Sequence, residues 1–293
     1  MRLHLVDGTF ELFRAHFTKR PGHLAPDGRD VKATVGLATN LLALIHEPAE
    51  RVTHVAIAFD NPIHSFRNEL FPGYKSDEGV PPELRAQFDL AEEAARALGV
   101  TVWSMREYEA DDALATAALR FRDEVEQVRI LTPDKDLGQC LTGQKVVQVD
   151  RIRVKVIDEA ALLERRGIRP ESIPDFLALV GDDADGIPGI PGFGEKTAAA
   201  LLGAHLHLEA IPTDAARWPP AVRSAPQLAA TLATRWQDAL RYRQLATLLT
   251  DVPLAESLED LRWRGVPRAA LEAFCGALGA GRLLEAVRPR SPR

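Results

Sequence analysis

The chain has 293 residues, 46% of them hydrophobic, and a formal net charge of −6. That is material for one large domain, or a main domain with a smaller one, and it excludes wholesale disorder and polyanion binding through bulk charge, though not through a local basic face. Cys140 and Cys275 stand apart without metal-type spacing, as in a reducing cytoplasm; the opening MRLHLVDG has no apolar leader, so no secreted precursor is expected, and no apolar run reaches the ~18–20 residues of a membrane span.

In chain order, RLHLV (2–6) is a short apolar run, VKATVGLATNLLALIHE (31–47) has helical spacing, and VTHVAIAF (52–59) is strand-like. PELRAQFDLAEEAARALG (82–99) reads as one amphipathic helix ending at Gly99. VTVW (100–103) is strand-like, ADDALATAALRFRDE (110–124) helical, VRIL (128–131) a strand, and 145–157 a hairpin. This alternation predicts an α/β fold, a mostly parallel sheet with helices on both faces. From about residue 158 strand signals vanish. EAALLERRG, PESIPDFLALVG and EKTAAALLG read as helices, 211–226 as a Pro-rich surface loop, and RPRSPR as a frayed basic tail.

Asp7 follows the first strand and Asp60 the second, while Asp134 and Asp136 follow VRIL. Ligands of open parallel sheets bind outside the carboxyl ends of the strands, so separate strands deliver carboxylates to one edge. Turn formation and helix capping are the alternative uses of such residues. Glu109, Asp111 and Asp112 open a helix, where acidic groups also suit the dipole. Asp182 and Asp185, three apart, share a face if their segment is helical, with Asp183 pointing elsewhere. If these groups converge, they cannot all stay ionised without cations. An all-oxygen set without His or Cys suits Mg²⁺ or Mn²⁺ rather than Zn²⁺, and a pair of such ions suits phosphodiester hydrolysis.

GDDADGIPGIPGFGEKTA (181–198) joins these aspartates to a glycine-rich turn. Gly189, Gly192 and Gly194 allow close backbone approach to a phosphate, the next helix N-terminus adds partial positive charge, and Lys196 adds a full one beside Thr197. The spacing misses the P-loop pattern, because Glu195 precedes the lysine. A plain turn between helices is the other reading.

Together the blocks LVDGTFELFRAHF, AFDNPIHSFRNELFPGYK, YEADDALA, RILTPDKDL and GDDADGIPGIPGFGEKTA resemble, in order and over nearly the whole chain, the 5′-nuclease (flap endonuclease-like) family, especially the N-terminal domain of bacterial DNA polymerase I. The resemblance implies a PIN-like α/β core over 1–157 with a helical arch at about 64–99. It also implies a helical DNA-binding region over 158–293, with a helix–three-turn–helix hairpin at about 174–203. The implied activity is Mg²⁺- or Mn²⁺-dependent hydrolysis of DNA with a free 5′ end or flap, by a stand-alone bacterial cytoplasmic, nucleoid-associated monomer in replication and repair. One metal position is implied at Asp7, Asp60, Glu109, Asp111 and Asp112, the second at Asp134, Asp136, Asp182 and Asp185, with K⁺ at the hairpin. Arg67 and Lys75 are implied phosphate contacts, and Tyr74 a base-stacking residue. Two positions depart from the family: Glu78 replaces an arch arginine, and Pro191 a common basic residue. Glu78 keeps a junction-binding protein with little hydrolysis in view, and a PIN-type ribonuclease is a further alternative.

Overall fold

β1 (Arg2–Asp7) buries Leu3, Leu5 and Val6 together, as a strand must when both faces of its sheet are covered. The computed structural model describes residues 1–287; the tail 288–293, expected to fray, lies outside the described residues. After β1 come α1 (Gly8–Phe17), α2 (Lys32–Ile45), β2 (His54–Asp60), α3 (Phe66–Leu70), α4 (Pro82–Arg85), α5 (Phe88–Ala97) and β3 (Thr101–Met105). Then follow α6 (Ala110–Phe121), β4 (Gln127–Leu131), β5 (Val146–Asp150) and β6 (Lys155–Ile157). The strands form one sheet in the order β3-β2-β1-β4-β5-β6. All neighbours are parallel except β5 and β6, which close the hairpin expected over 145–157. The chain winds outward from β1 to β3, then crosses back to β4, so the boundary between β1 and β4 is the topological switch point where such sheets bind ligands.

One face of the sheet is covered by α1, α2 and α5, with Leu12, Leu37, Leu41, Phe59 and Phe88 buried between. The other is covered by α6, which packs Leu114 and Phe121 onto Leu5 and Ile130. Two local features differ from the sequence reading. The helix expected over 82–99 breaks into α4 and α5, because Gln87 turns inward and its Oε1 accepts from the Thr34 amide, 3.0 Å away, in the first turn of α2. α1 has no counterpart among the expected elements. The stretch 64–99, where the resemblance implies an arch, holds α3, α4 and α5. Residues 71–81 are irregular, and α5 belongs to the core.

The second half is helical: α7 (Glu159–Arg166), α8 (Ile173–Val180), α9 (Glu195–His205), α10 (Ala225–Thr234), α11 (Trp236–Ala246), α12 (Arg268–Leu278) and α13 (Gly281–Val287). No strand follows Ile157 among the described residues. Leu177, Ile190, Leu201 and Trp218 lie in its core. Trp218 anchors the 211–226 excursion, which holds one 3₁₀ turn at Ala215–Arg217 and runs into α10, by donating its indole N–H to the Pro212 carbonyl at 2.7 Å. Packing does not follow the change from strand to helix. Leu248, Val252 and Leu261 enter the core under α6, and Leu271, Cys275 and Leu283 enter the core beside α2 and α5.

Candidate active site

The carboxyl edge of the sheet collects acidic side chains, each fixed by hydrogen bonds from the protein. Asp7 Oδ1 accepts from the Phe10 amide at 2.8 Å, capping α1, and its Oδ2 accepts from Thr132 Oγ1 at 2.9 Å across the switch point. Asp60 Oδ1 accepts from the Ala110 amide at 2.7 Å, which fixes the start of α6 and brings Asp111 to the same edge. Beyond β4, Asp134 Oδ1 accepts from the Asp136 amide at 2.9 Å. Capping and site-building are therefore compatible here, because one carboxylate does both.

The facing wall comes from the turn after α8. Gly181 and Gly189 have φ of +88° and +72°, and a Cβ on Gly189 would lie 2.6 Å from the Gly181 nitrogen. Only glycine permits this crossing of backbones. The crossing closes 181–189 into a loop that turns Asp182 and Asp185 toward the sheet. Oxygens of Asp136, Asp182 and Asp185 lie within 4.8 Å of one another. Asp136 is buried, and its Oδ1 has no hydrogen-bond partner. An orphaned buried carboxylate oxygen facing two more carboxylates fits a hard divalent cation with oxygen ligands.

Glu109 stands apart from this group because it is surrounded by donors. Its Oε1 accepts from Ser65 Oγ at 2.7 Å, and its Oε2 accepts from the Tyr74 hydroxyl at 3.2 Å and faces Lys75 Nζ at 3.1 Å. Lys75 Nζ also lies 3.1 Å from Asp185 Oδ1. Tyr74 is buried in the helical core, so here its hydroxyl positions Glu109 and its ring is closed to a nucleobase. Arg67 differs from the expected phosphate contact in the same way. It is fully buried, with Nη1 and Nη2 bound to Asp112 at 2.7 and 2.8 Å, and it also donates to the carbonyls of Leu245 and Thr247. Asp112 accepts further from the Glu109 and Leu249 amides, so both its oxygens are taken by donors of the protein itself rather than left for a metal.

Burial pushes the Asp7 carboxyl up to about 7, with the charges of Asp60 and Asp134 adding to the rise. Burial also raises Asp111, reinforced by Asp7 and Asp134, and raises Asp136, reinforced by Asp134, Asp185 and Asp182. Burial would raise Glu109 too, but Lys75 and Arg67 outweigh it and hold it low. Raised carboxyls favour folding while protonated. For Asp7 that contribution is complete below its ordinary 3.8 and is lost as pH climbs to about 7. The melting temperature in chelator is therefore expected to fall by roughly 5 °C or more between pH 5 and 8, and Mg²⁺ should reverse most of the fall. A flat thermal-melt profile across that range contradicts the crowding.

The other site candidates are more dispersed. Gly189 is buried and shapes the loop from within, whereas Gly192, Gly194 and Lys196 are exposed, and Thr197 is half-buried in the first turn of α9. Sequence reasoning passed over Lys135, whose Nζ meets Asp182 Oδ2 at 2.8 Å, and over Thr132 and Ser65, which donate to Asp7 and Glu109. For Lys135 a signal was present: it sits between two candidate ligands in PDKDL.

Comparison with known proteins agrees with this geometry. Residues 2–167 match the family model for the 5′-3′ exonuclease N-terminal resolvase-like domain, and residues 168–269 match that for the 5′-3′ exonuclease C-terminal SAM fold. The thermostable DNA polymerase I of Thermus aquaticus is 36% identical over 289 residues, and the DNA polymerase I of Bacillus caldotenax is 33% identical over 288. Each alignment covers 97% of this chain and 32% of the relative, so the chain spans about a third of the length of these proteins. Among solved structures, T5 5′-exonuclease with bound zinc superposes with a TM-score of 0.67 at 18% identity, covering 98% of this chain and 100% of that one. The catalytic core of Rad2 bound to DNA superposes with a TM-score of 0.62 at 14% identity, covering 98% and 92%. These likenesses at low identity concern the fold. The matches along the sequence, over a sheet edge that gathers the family's acidic blocks, establish that the chain belongs to the 5′-3′ exonuclease family.

Proposed function

We propose that the protein is a structure-dependent 5′-nuclease that hydrolyses DNA phosphodiesters near a free 5′ end or flap, with two divalent ions, Mg²⁺ or Mn²⁺, in replication and repair. The observation that carries this reading is the gathering of Asp7, Asp60, Asp111, Asp134, Asp136, Asp182 and Asp185 around one edge, with Lys75 and Lys135 paired to Asp185 and Asp182. Asp136, Asp182 and Asp185, with Asp134, would hold one ion; Asp7, Asp60 and Asp111, with Glu109 nearby, would hold the other. Bound there, such ions supply Lewis acidity toward phosphoryl oxygens and lower the pKa of water.

The chain's own residues do the rest. Lys75, on the irregular segment that closes against the 183–186 turn, sits where a scissile phosphate would meet the cluster, and its charge offsets that of the reacting phosphoryl group. Tyr74 and Ser65 hold Glu109 in place. Arg67 acts through Asp112 rather than on substrate. Gly192, Gly194, Lys196 and Thr197, at and beside the N-terminus of α9, grip duplex backbone, where K⁺ could assist, without reading sequence.

The assay is cleavage of a 5′-labelled flap DNA with Mg²⁺, Mn²⁺ or chelator, beside Asp136→Ala. Cleavage that needs the metal and is lost in the variant supports the reading. Binding without product in both proteins points instead to a junction-binding module, and preference for a matched RNA points to a ribonuclease. A second expectation concerns the closing segment. Gly186 has φ of +72°, and a Cβ there would collide with the Gly73 carbonyl. Gly186→Ala should therefore displace Lys75 and lower flap cleavage by about 10-fold or more, with a stability loss of about 1–3 kcal/mol. Unchanged cleavage by the folded variant would show that this closure is irrelevant to the site.

A further inference from the structure

A cavity of about 470 Å³ runs beside the acidic cluster, between the β5–β6 hairpin and α7, and its size is that of a ligand cleft. Asp134, Lys135 and Asp182 form one end, so it opens directly from the proposed reaction centre. Arg153, Arg165 and Arg166 line it further along. Lys135 and Arg153 already have carboxylate partners, Asp182 and Asp150, each at 2.8 Å. Arg165 and Arg166 form no ion pair among the described residues. Arg166 is half-buried, with its guanidinium 5.8 Å from the Phe176 ring centre. Burial lowers its pKa, with Arg165 adding to the fall, while the charges of Glu195, Asp136 and Asp134 oppose it.

Two adjacent guanidiniums, one partly removed from water and neither ion-paired among the described residues, offer donors to an anion. Their position in the last turn of α7 gives a plainer account, since cations suit a helix C-terminus. That account explains the solvent-exposed Arg165 but not a second arginine lining a cavity. Phe10 lines the same cavity and is half-buried. An aromatic face for a base together with guanidiniums for phosphates is the pairing used to hold single strands.

We propose that this groove is a track for single-stranded nucleic acid leading from the acidic cluster, with Arg165 and Arg166 as its phosphate contacts. The nucleic-acid class of the ligand rests on the function proposed above. Stacking a base on an aromatic ring needs an unpaired strand, so the proposed occupant is single-stranded.

The test compares wild type with Arg165→Ala/Arg166→Ala and Arg165→Lys/Arg166→Lys. Fluorescence anisotropy with Ca²⁺ would follow binding of a labelled single-stranded oligonucleotide and of a blunt duplex across a KCl series. The alanine pair should weaken single-strand binding by about 10-fold or more and reduce the slope of log K against log salt by about 1–2. Duplex binding should change less than about 3-fold, and the lysine pair should restore part of the loss while melting temperatures stay near wild type. Unchanged single-strand affinity, or equal loss on both ligands, overturns the proposal. Wild-type flap cleavage, measured in parallel, separates the two readings. Cleavage with unchanged single-strand binding by the alanine pair sinks the groove alone. No cleavage with weakened single-strand binding by that pair sinks the nuclease reading and leaves the groove standing.

Discussion

Asp111→Asn is expected to raise the melting temperature of the metal-free protein while removing cleavage. Asp111 sits where burial, Asp7 and Asp134 all resist its ionisation, so the charged form at pH 8 is a net cost to the fold. The amide is close in shape and carries no charge. Metal-free stability at pH 8 should rise by about 1–3 kcal/mol, which denaturant melts in chelator would measure. Flap cleavage should fall on the order of 100-fold or more, because the proposed metal site would lose a charged ligand. Opposite signs for stability and activity are the signature of a site that stores repulsion for a cation to relieve. A carboxylate that merely caps α6 gives a different result: Asn serves well as a cap, so both quantities stay near wild type.

Arg67→Ala should produce the reverse pattern, a large loss of stability with or without metal. The variant leaves Asp112 fully buried without its charge partner and strips donors from the Leu245 and Thr247 carbonyls. Removing one partner of a buried pair costs about 3–5 kcal/mol. This arginine ties α3 to α6 and to the end of α11, so the loss should appear in equilibrium unfolding monitored by circular dichroism. Near-native stability with weakened DNA binding would instead return Arg67 to the phosphate-contact role that family resemblance suggests.

Much of this arrangement could be read from local sequence. Asp7, Asp60 and Asp134 follow apolar runs, and strand ends in a parallel sheet share an edge, so their convergence needed only the strand assignments. The glycine-rich turn is equally plain in GDDADGIPG, although the crossing of Gly181 and Gly189 at positive φ is not. What remained hidden depends on long-range partners. Arg67 reads as a substrate contact until Asp112 and the carbonyls near 245 are placed around it. Tyr74 could be a base-stacking residue, as the resemblance implies, or a core aromatic, and only the packing of the helical half decides for the core. The break at Gln87 is likewise set by the α2 amide it reaches, which no periodicity within 82–99 records. The return of 248–283 to the α/β core also escapes a reading by secondary structure, because helices carry no mark of which core they join.

Counting bound Mn²⁺ by electron paramagnetic resonance, in wild type and in Asp111→Asn and Asp136→Asn, bears most directly on the acidic edge. Saturable binding of about two ions per chain is expected, with each substitution weakening or removing one. Wild-type protein that takes up no Mn²⁺ with saturation, or variants that bind it as wild type does, would mean that these carboxylates meet for reasons other than holding metal.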